Sequence, residues 1–176
     1  MNASTQLSLA ELNSSDQGAF VASLAHLFEH SPWVAEETYP RRPFRTLDEL
    51  HAALCETMRS APRERQMALI RAHPDLAGRL ARAGELTASS AREQYAAGLD
   101  RLAPAEAAEI ERLNEAYKAR FGIPFIICAR LNAKDRILAA MRSRLENTSE
   151  AEHSTALGEI AMIARLRLND AVTKEN

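Results

Sequence analysis

Apolar positions along this chain recur every three or four residues, the period of helices that bury one face. Ser8-Leu9-Ala10-Glu11 has the S-x-x-E form of a capping box and opens a short helix. Phe20, Leu24, Leu27 and Phe28 form a stripe behind Ser14 and Ser15. That stripe predicts a helix running out at His30-Ser31-Pro32, because a residue before proline avoids the helical region. Residues 33–45, with Pro40 and Pro43 close together, read as an ordered loop. Thr46-Leu47-Asp48-Glu49 is a second capping box, followed by the stripe Leu47, Leu50, Leu54 and Met58. Pro62 suits the first turn of the next helix, which carries Met67 and Ile70 and ends near His73-Pro74. Leu76 and Leu80 mark a short helix stopped at Gly84, and another begins around Thr87 to Ser90 and ends near Gly98. Pro104 opens the clearest helix, with Ile110, Leu113, Tyr117 and Phe121 on one face and Gly122 as its stop. Residues 123–129 are apolar and extended or irregular around Pro124, and a helix covers about 135–145. Asn147-Thr148-Ser149-Glu150 caps the last helix, whose stripe is Leu157, Ile160, Ala164 and Leu168. No stretch alternates as a strand would. The pattern predicts an all-α fold, a compact irregular bundle of about eight or nine helices in one domain over residues 1–176.

Composition narrows the function classes. A chain of 176 residues can bury a core without disulfides or a metal. Apolar residues at 46% and charged residues at 26% exclude general disorder. A net charge of −2 carries no basic excess, so no nucleic-acid partner is expected. No apolar run reaches the roughly 18 residues of a membrane span. Met1-Asn2-Ala3-Ser4-Thr5 lacks a basic n-region, and Lys174-Glu175-Asn176 is not a peroxisomal address. Cys55 and Cys128 sit far apart in apolar settings and read as buried, reduced thiols. These features together predict a cytoplasmic protein.

Several polar residues could carry chemistry, and each has a plainer reading. His26 and His30 stand four apart, the spacing of metal ligands on one helix face, which would suit a metal-dependent hydrolase. No third ligand is visible, and a histidine at a helix end also complements the helix dipole. His51 and His153 lie on polar faces and read as solvated. His73 ends a helix directly before Pro74, a junction that can aim a side chain into a cavity. Glu93 fits the capping pattern Ser90-Ala91-Arg92-Glu93, yet it could equally be a carboxylate projected from a first turn. Arg165 and Arg167 flank the last stripe, and helical geometry does not choose between them. Residues 123–129 read as core when taken alone. On periodicity alone the chain could also be a non-catalytic helical interaction module with His73 as a structural cap.

Four segments in order change this picture. They are Phe28-Glu29-His30-Ser31-Pro32-Trp33-Val34-Ala35, His73-Pro74-Asp75-Leu76-Ala77-Gly78, Ser90-Ala91-Arg92-Glu93-Gln94, and Tyr117-Lys118-Ala119-Arg120-Phe121-Gly122-Ile123-Pro124-Phe125-Ile126-Ile127-Cys128. The series resembles the 2-oxo-4-hydroxy-4-carboxy-5-ureidoimidazoline (OHCU) decarboxylases of urate breakdown, over roughly residues 8–170. Ile123 departs from the family pattern, where an aromatic is expected. The resemblance implies an all-helical homodimer with no metal or organic cofactor. It implies a small ureidoimidazoline substrate, decarboxylated to (S)-allantoin and carbon dioxide. Carried over by position, His73 resembles the catalytic histidine, Glu93 its carboxylate partner and Arg165 the arginine that completes the site. Pro74, the run Ser90, Ala91, Arg92, Glu93 and Gln94, and the run Phe125, Ile126, Ile127, Cys128 and Ala129 resemble the substrate-contacting walls. In the last run much of the contact is expected from backbone groups.

Overall fold

The structure, a computed structural model, describes residues 6–77 and 86–173. The fold is all-α: nine α-helices among the described residues, with one two-stranded parallel pair. The chain divides into two compact units, one of residues up to Leu69 together with those from Ala161 onward, the other of Ile70–Ile160.

The first unit holds β1 (Leu7–Ser8), α1 (Leu9–Ser14), α2 (Gln17–Leu24), α3 (Trp33–Thr38) and α4 (Leu47–Ser60). It also holds most of α5 (Arg63–Ala72), the end of α9 (Ser149–Ala171), and β2 (Val172–Thr173). Both expected caps form: Ser8 and Glu11 exchange a full capping box, and the Thr46 hydroxyl accepts from the Glu49 N–H at 3.1 Å. Phe20, Leu24, Leu27, Val34, Leu50, Leu54 and Met58 are almost completely buried. Each such side chain contributes about 1.5–3 kcal/mol through burial. Leu7 pairs with Val172 and Ser8 with Thr173, strands too short for any alternation to be legible.

Two expectations fail here. The α2 helix stops at Leu24 and continues only as a 3-10 turn, Ala25–Leu27. Phe28 is extended and His30 has φ of 47°, so His26 and His30 do not share a helix face. Residues 33–45 are not a loop throughout, because α3 occupies its first half and a 3-10 turn, Tyr39–Arg41, follows. Pro32 opens this helix rather than ending the previous one, accepting the Glu36 N–H at 3.1 Å through its carbonyl. Proline is suited to that place because it has no N–H to leave unsatisfied.

The second unit holds the end of α5, α6 (Ala88–Ala96), α7 (Pro104–Phe121), α8 (Lys134–Arg144) and the first half of α9. Its core includes Ile70, Ile110, Leu113, Tyr117, Phe125, Ile137, Met141, Ala156 and Ile160. Gly122 takes φ of 69° and donates its N–H to Lys118 at 2.8 Å, a left-handed stop that glycine makes at no steric cost. The helix expected around Leu76 to Gly84 falls largely outside the described residues. His153 is buried, not solvated, since it shares a face of α9 with Leu157 and Ile160. His51, in the first unit, is half-buried, its Nε2 2.8 Å from the Ala161 carbonyl and 3.3 Å from the Cys55 thiol. Both cysteines are buried free thiols. Among the described residues no helix is long and apolar enough to cross a membrane.

Candidate active site

His73 follows the last residue of α5, and its N–H donates to Ile70 at 3.2 Å. Pro74 cannot continue the helix, so the chain turns there with His73 8% exposed. Side chains from two neighbouring helices fasten this turn. Lys118 of α7 reaches the Asp75 carboxylate at 2.6 Å, and Asn114 donates to the Leu76 carbonyl at 2.9 Å. From α6, the Gln94 amide accepts the Ala77 N–H at 2.8 Å and donates to the Asp75 carbonyl at 3.4 Å. His73, Pro74 and Asp75 line an open cleft of about 360 Å³ with Lys118, Ile123 and Pro124. A cleft of that size suits a small ligand.

The cap of α6 removes the capping-box reading of Glu93. Thr87 is the N-cap, and its hydroxyl accepts the Ser90 N–H. Ser90 therefore lies within the first turn and Glu93 in the second, so Glu93 does not close a capping box. Ser90 and Gln94 are buried and Glu93 is half-buried. Ala91 and Arg92 face solvent, with Arg92 donating back to the Ala88 carbonyl.

Phe125, Ile126, Ile127, Cys128 and Ala129 are all buried, and α6 packs on the 3-10 turn Ala129–Leu131 that ends this run. Arg144 donates to the Ile126 carbonyl at 2.8 Å, with its guanidinium over the Phe125 ring at 4.3 Å. Glu159 accepts the Cys128 N–H at 2.7 Å. Burial, then the charges of Glu159 and Glu93, push the Cys128 thiol up to about 11. The packing of α6 on the turn that ends the run brings the helix that carries Glu93 against it.

A buried charge network stands behind the run. Glu152 is fully buried and accepts from Arg144 at 2.8 Å, from Asn147 at 2.7 Å and from the Tyr117 hydroxyl. Burial alone would raise its pKa, but the donors Arg144, Tyr117 and Asn147 outweigh it and hold the carboxyl below the usual range. Burial and the bond to Glu152 push the Tyr117 phenol well up, so the shared proton stays on tyrosine.

Within the second unit Gln94 ties the turn after His73 to α6, and α6 packs on the turn that ends the run 125–129, while the cleft at His73 is lined by Pro74 but by none of Ser90, Glu93, Gln94 or residues 125–129. Arg165 lies in the first unit, its side chain 29% exposed and paired with the Asp48 carboxylate. Arg45, Thr46 and Asp48 line a cavity of about 280 Å³ with it. Arg167, the alternative arginine, is buried beside Glu29 at 3.0 Å and donates to the His26 carbonyl at 3.0 Å. Its surroundings are those of a structural ion pair. Among the described residues no three His, Cys, Asp or Glu side chains cluster as a metal would need. Glu152, Glu159 and Arg144 escaped the sequence reading. A signal existed: two carboxylates seven residues apart on α9, with Ala156 between them in the buried face.

The profile of the OHCU decarboxylase family matches residues 13–169. The 2-oxo-4-hydroxy-4-carboxy-5-ureidoimidazoline decarboxylase of Haloferax volcanii is 41% identical over 170 residues, covering 97% of this chain and 99% of that protein. The protein of the same name from Halalkalicoccus jeotgali is 39% identical over 166 residues, covering 94% and 92%. A crystal structure of (S)-allantoin synthase superposes with a TM-score of 0.77 at 27% identity, covering 95% of this chain and 54% of that one. This chain therefore spans about half of that structure. An all-α fold with a buried histidine at a small cleft defines a candidate helical enzyme, and the sequence relationship defines which kind. The chain belongs to the OHCU decarboxylase family.

Proposed function

We propose that this protein is a carboxy-lyase that converts 2-oxo-4-hydroxy-4-carboxy-5-ureidoimidazoline to (S)-allantoin and carbon dioxide in urate degradation. Family membership across residues 13–169 carries the reading. The buried His73 at the mouth of a cleft of about 360 Å³ supports it independently.

The reaction breaks the bond between the ring carbon and its carboxylate. The electron pair stays on that carbon, spreads into the adjacent imine-like ring and is quenched by a proton. The substrate's own ring is the electron sink, so no cofactor enters the proposal. The protein supplies position and electrostatics. His73, a group that ordinarily titrates near 6.5, assists loss of the substrate hydroxyl proton and then protonates the carbanion from one face. Glu93 orients His73 or holds the ureido and ring N–H groups. Pro74, Ser90 to Gln94 and residues 125–129 form the binding walls. On the resemblance alone, Arg165 binds the carboxylate. Its pairing with a mostly exposed Asp48 leaves a guanidinium that can exchange partners. A cytoplasmic homodimer belongs to the same proposal, and sedimentation of the pure protein at the monomer mass contradicts the dimer.

Replacing His73 with Asn tests the mechanism. The variant is expected to lose rapid, single-handed allantoin formation, general acid–base assistance being worth about 10²–10⁴ in rate. Single-handed product at a near-normal rate removes His73 from the chemistry.

A further inference from the structure

The α9 helix carries Glu152 and Glu159 on one face, two turns or about 10.5 Å apart along its axis. Both act on the run 125–129, by different routes. Glu152 holds Arg144, and Arg144 donates to the Ile126 carbonyl. Glu159 accepts the Cys128 N–H directly at 2.7 Å. A cation therefore fixes one peptide carbonyl of this wall, and an anion fixes an N–H two residues further on.

The bond from Glu159 has a particular consequence. A carboxylate acceptor on a backbone N–H is short and about twice as strong as a neutral one. It sets the Cys128 peptide plane, and with it the line of the wall that faces Glu93. If residues 125–129 bind substrate largely through backbone groups, their peptide orientation is their specificity. We propose that Glu159 is a positioning residue for the decarboxylation: it acts through the Cys128 N–H to hold the substrate-binding wall in register with Glu93. The inference rests on the function proposed above and names a residue that reading leaves out.

The acceptor oxygen sets the orientation of the Cys128 peptide, and the charge adds to the strength of the bond. Glu159→Gln keeps an oxygen able to accept the same N–H, whereas Glu159→Leu fills similar space and accepts nothing. We expect the Gln variant to retain kcat/KM within about fivefold of the unaltered protein. We expect the Leu variant to lose at least about tenfold, mainly as a raised KM, with reduced handedness of the product. A displacement of about 1 Å in a substrate-positioning group can cost as much as 10²-fold. Exchange of the Cys128 amide hydrogen gives a readout that folding alone does not move: protection is retained in the Gln variant and lost in the Leu variant. Glu159→Ser, too short to reach the amide, replaces the Leu variant if the latter is insoluble, with the same expectation. Equal losses in the Gln and Leu variants overturn the proposal, as does a folded Leu variant with unchanged KM and product handedness. An unaltered protein that is inert toward the ureidoimidazoline overturns the proposed function and this inference with it. An active protein with an indifferent Leu variant overturns the inference alone.

Discussion

Arg144→Met removes the cation from the network behind the candidate site and leaves Glu152 buried. Glu152 is 0% exposed and the Arg144 side chain 11%, so neither is rescued by water. Breaking a buried pair by removing one partner costs about 3–5 kcal/mol, because the remaining charge stays uncompensated. Tyr117 and Asn147 still donate to Glu152, which favours the lower end of that range. The Ile126 carbonyl also loses its donor, adding about 1 kcal/mol. The expected deficit is about 4 kcal/mol at pH 7.5. That corresponds to roughly 8–16 °C in Tm for a chain of this size. The pH dependence supplies the sharper check. In the unaltered protein the donors hold the Glu152 carboxyl low. Its contribution is therefore complete above the unfolded value of about 4.3 and is lost as pH falls through the folded value. In the variant, burial wins and raises that value. The deficit should therefore shrink as the pH falls toward 5 and Glu152 takes up a proton. Arg144→Met with Glu152→Gln should recover at least about half of the loss, since no buried charge remains. Urea unfolding at pH 7.5 and 5.0 measures all three. A deficit under about 1 kcal/mol at pH 7.5, or one that is the same at pH 7.5 and 5.0, refutes the reasoning.

Two other outcomes follow from the same geometry. Glu93→Ala should lower the decarboxylation rate by at least about 100-fold, yet shift stability by only about 0.5 kcal/mol, because the cap of α6 belongs to Thr87. A variant that melts early and keeps its rate returns Glu93 to a structural role. With its thiol pushed up to about 11, Cys128 should react with iodoacetamide at pH 7.5 at least about 100-fold more slowly in the native protein than in the unfolded chain. Comparable rates in the two states would contradict the burial and the two flanking carboxylates.

Periodicity carried most of the helical fold. The α4 and α9 stripes are buried as their spacing predicts, the α7 stripe is buried except for the half-buried Phe121, and Ser8, Thr46, Gly98 and Gly122 mark real helix ends. It failed where one residue has two meanings. Pro32 ends one pattern and begins another, and nothing local says which. A stripe such as Phe20, Leu24, Leu27 and Phe28 is satisfied by a helix, but also by a short helix, a 3-10 turn and an extended residue. His153 defeats periodicity because one polar residue on an apolar face looks like a boundary of that face. The family was legible through the company of four segments rather than through any single spacing, and the candidate site residues follow from it by position. His73 alone is a helix-end histidine, whereas Gln94 ties its turn to α6 across 17 residues of sequence. The groups behind the wall were invisible for the same reason. Arg144 reaches a residue 18 positions away, Glu159 one 31 away and Glu152 one 35 away, and such partners are set by packing, not by local pattern.

The most direct measurement is turnover of freshly generated 2-oxo-4-hydroxy-4-carboxy-5-ureidoimidazoline by the pure protein, with product handedness followed by circular dichroism. The account predicts rapid decay of the substrate with (S)-allantoin as the single-handed product, and loss of both features in the His73→Asn variant. Decay no faster than in buffer alone, or racemic allantoin from the unaltered protein, would contradict it.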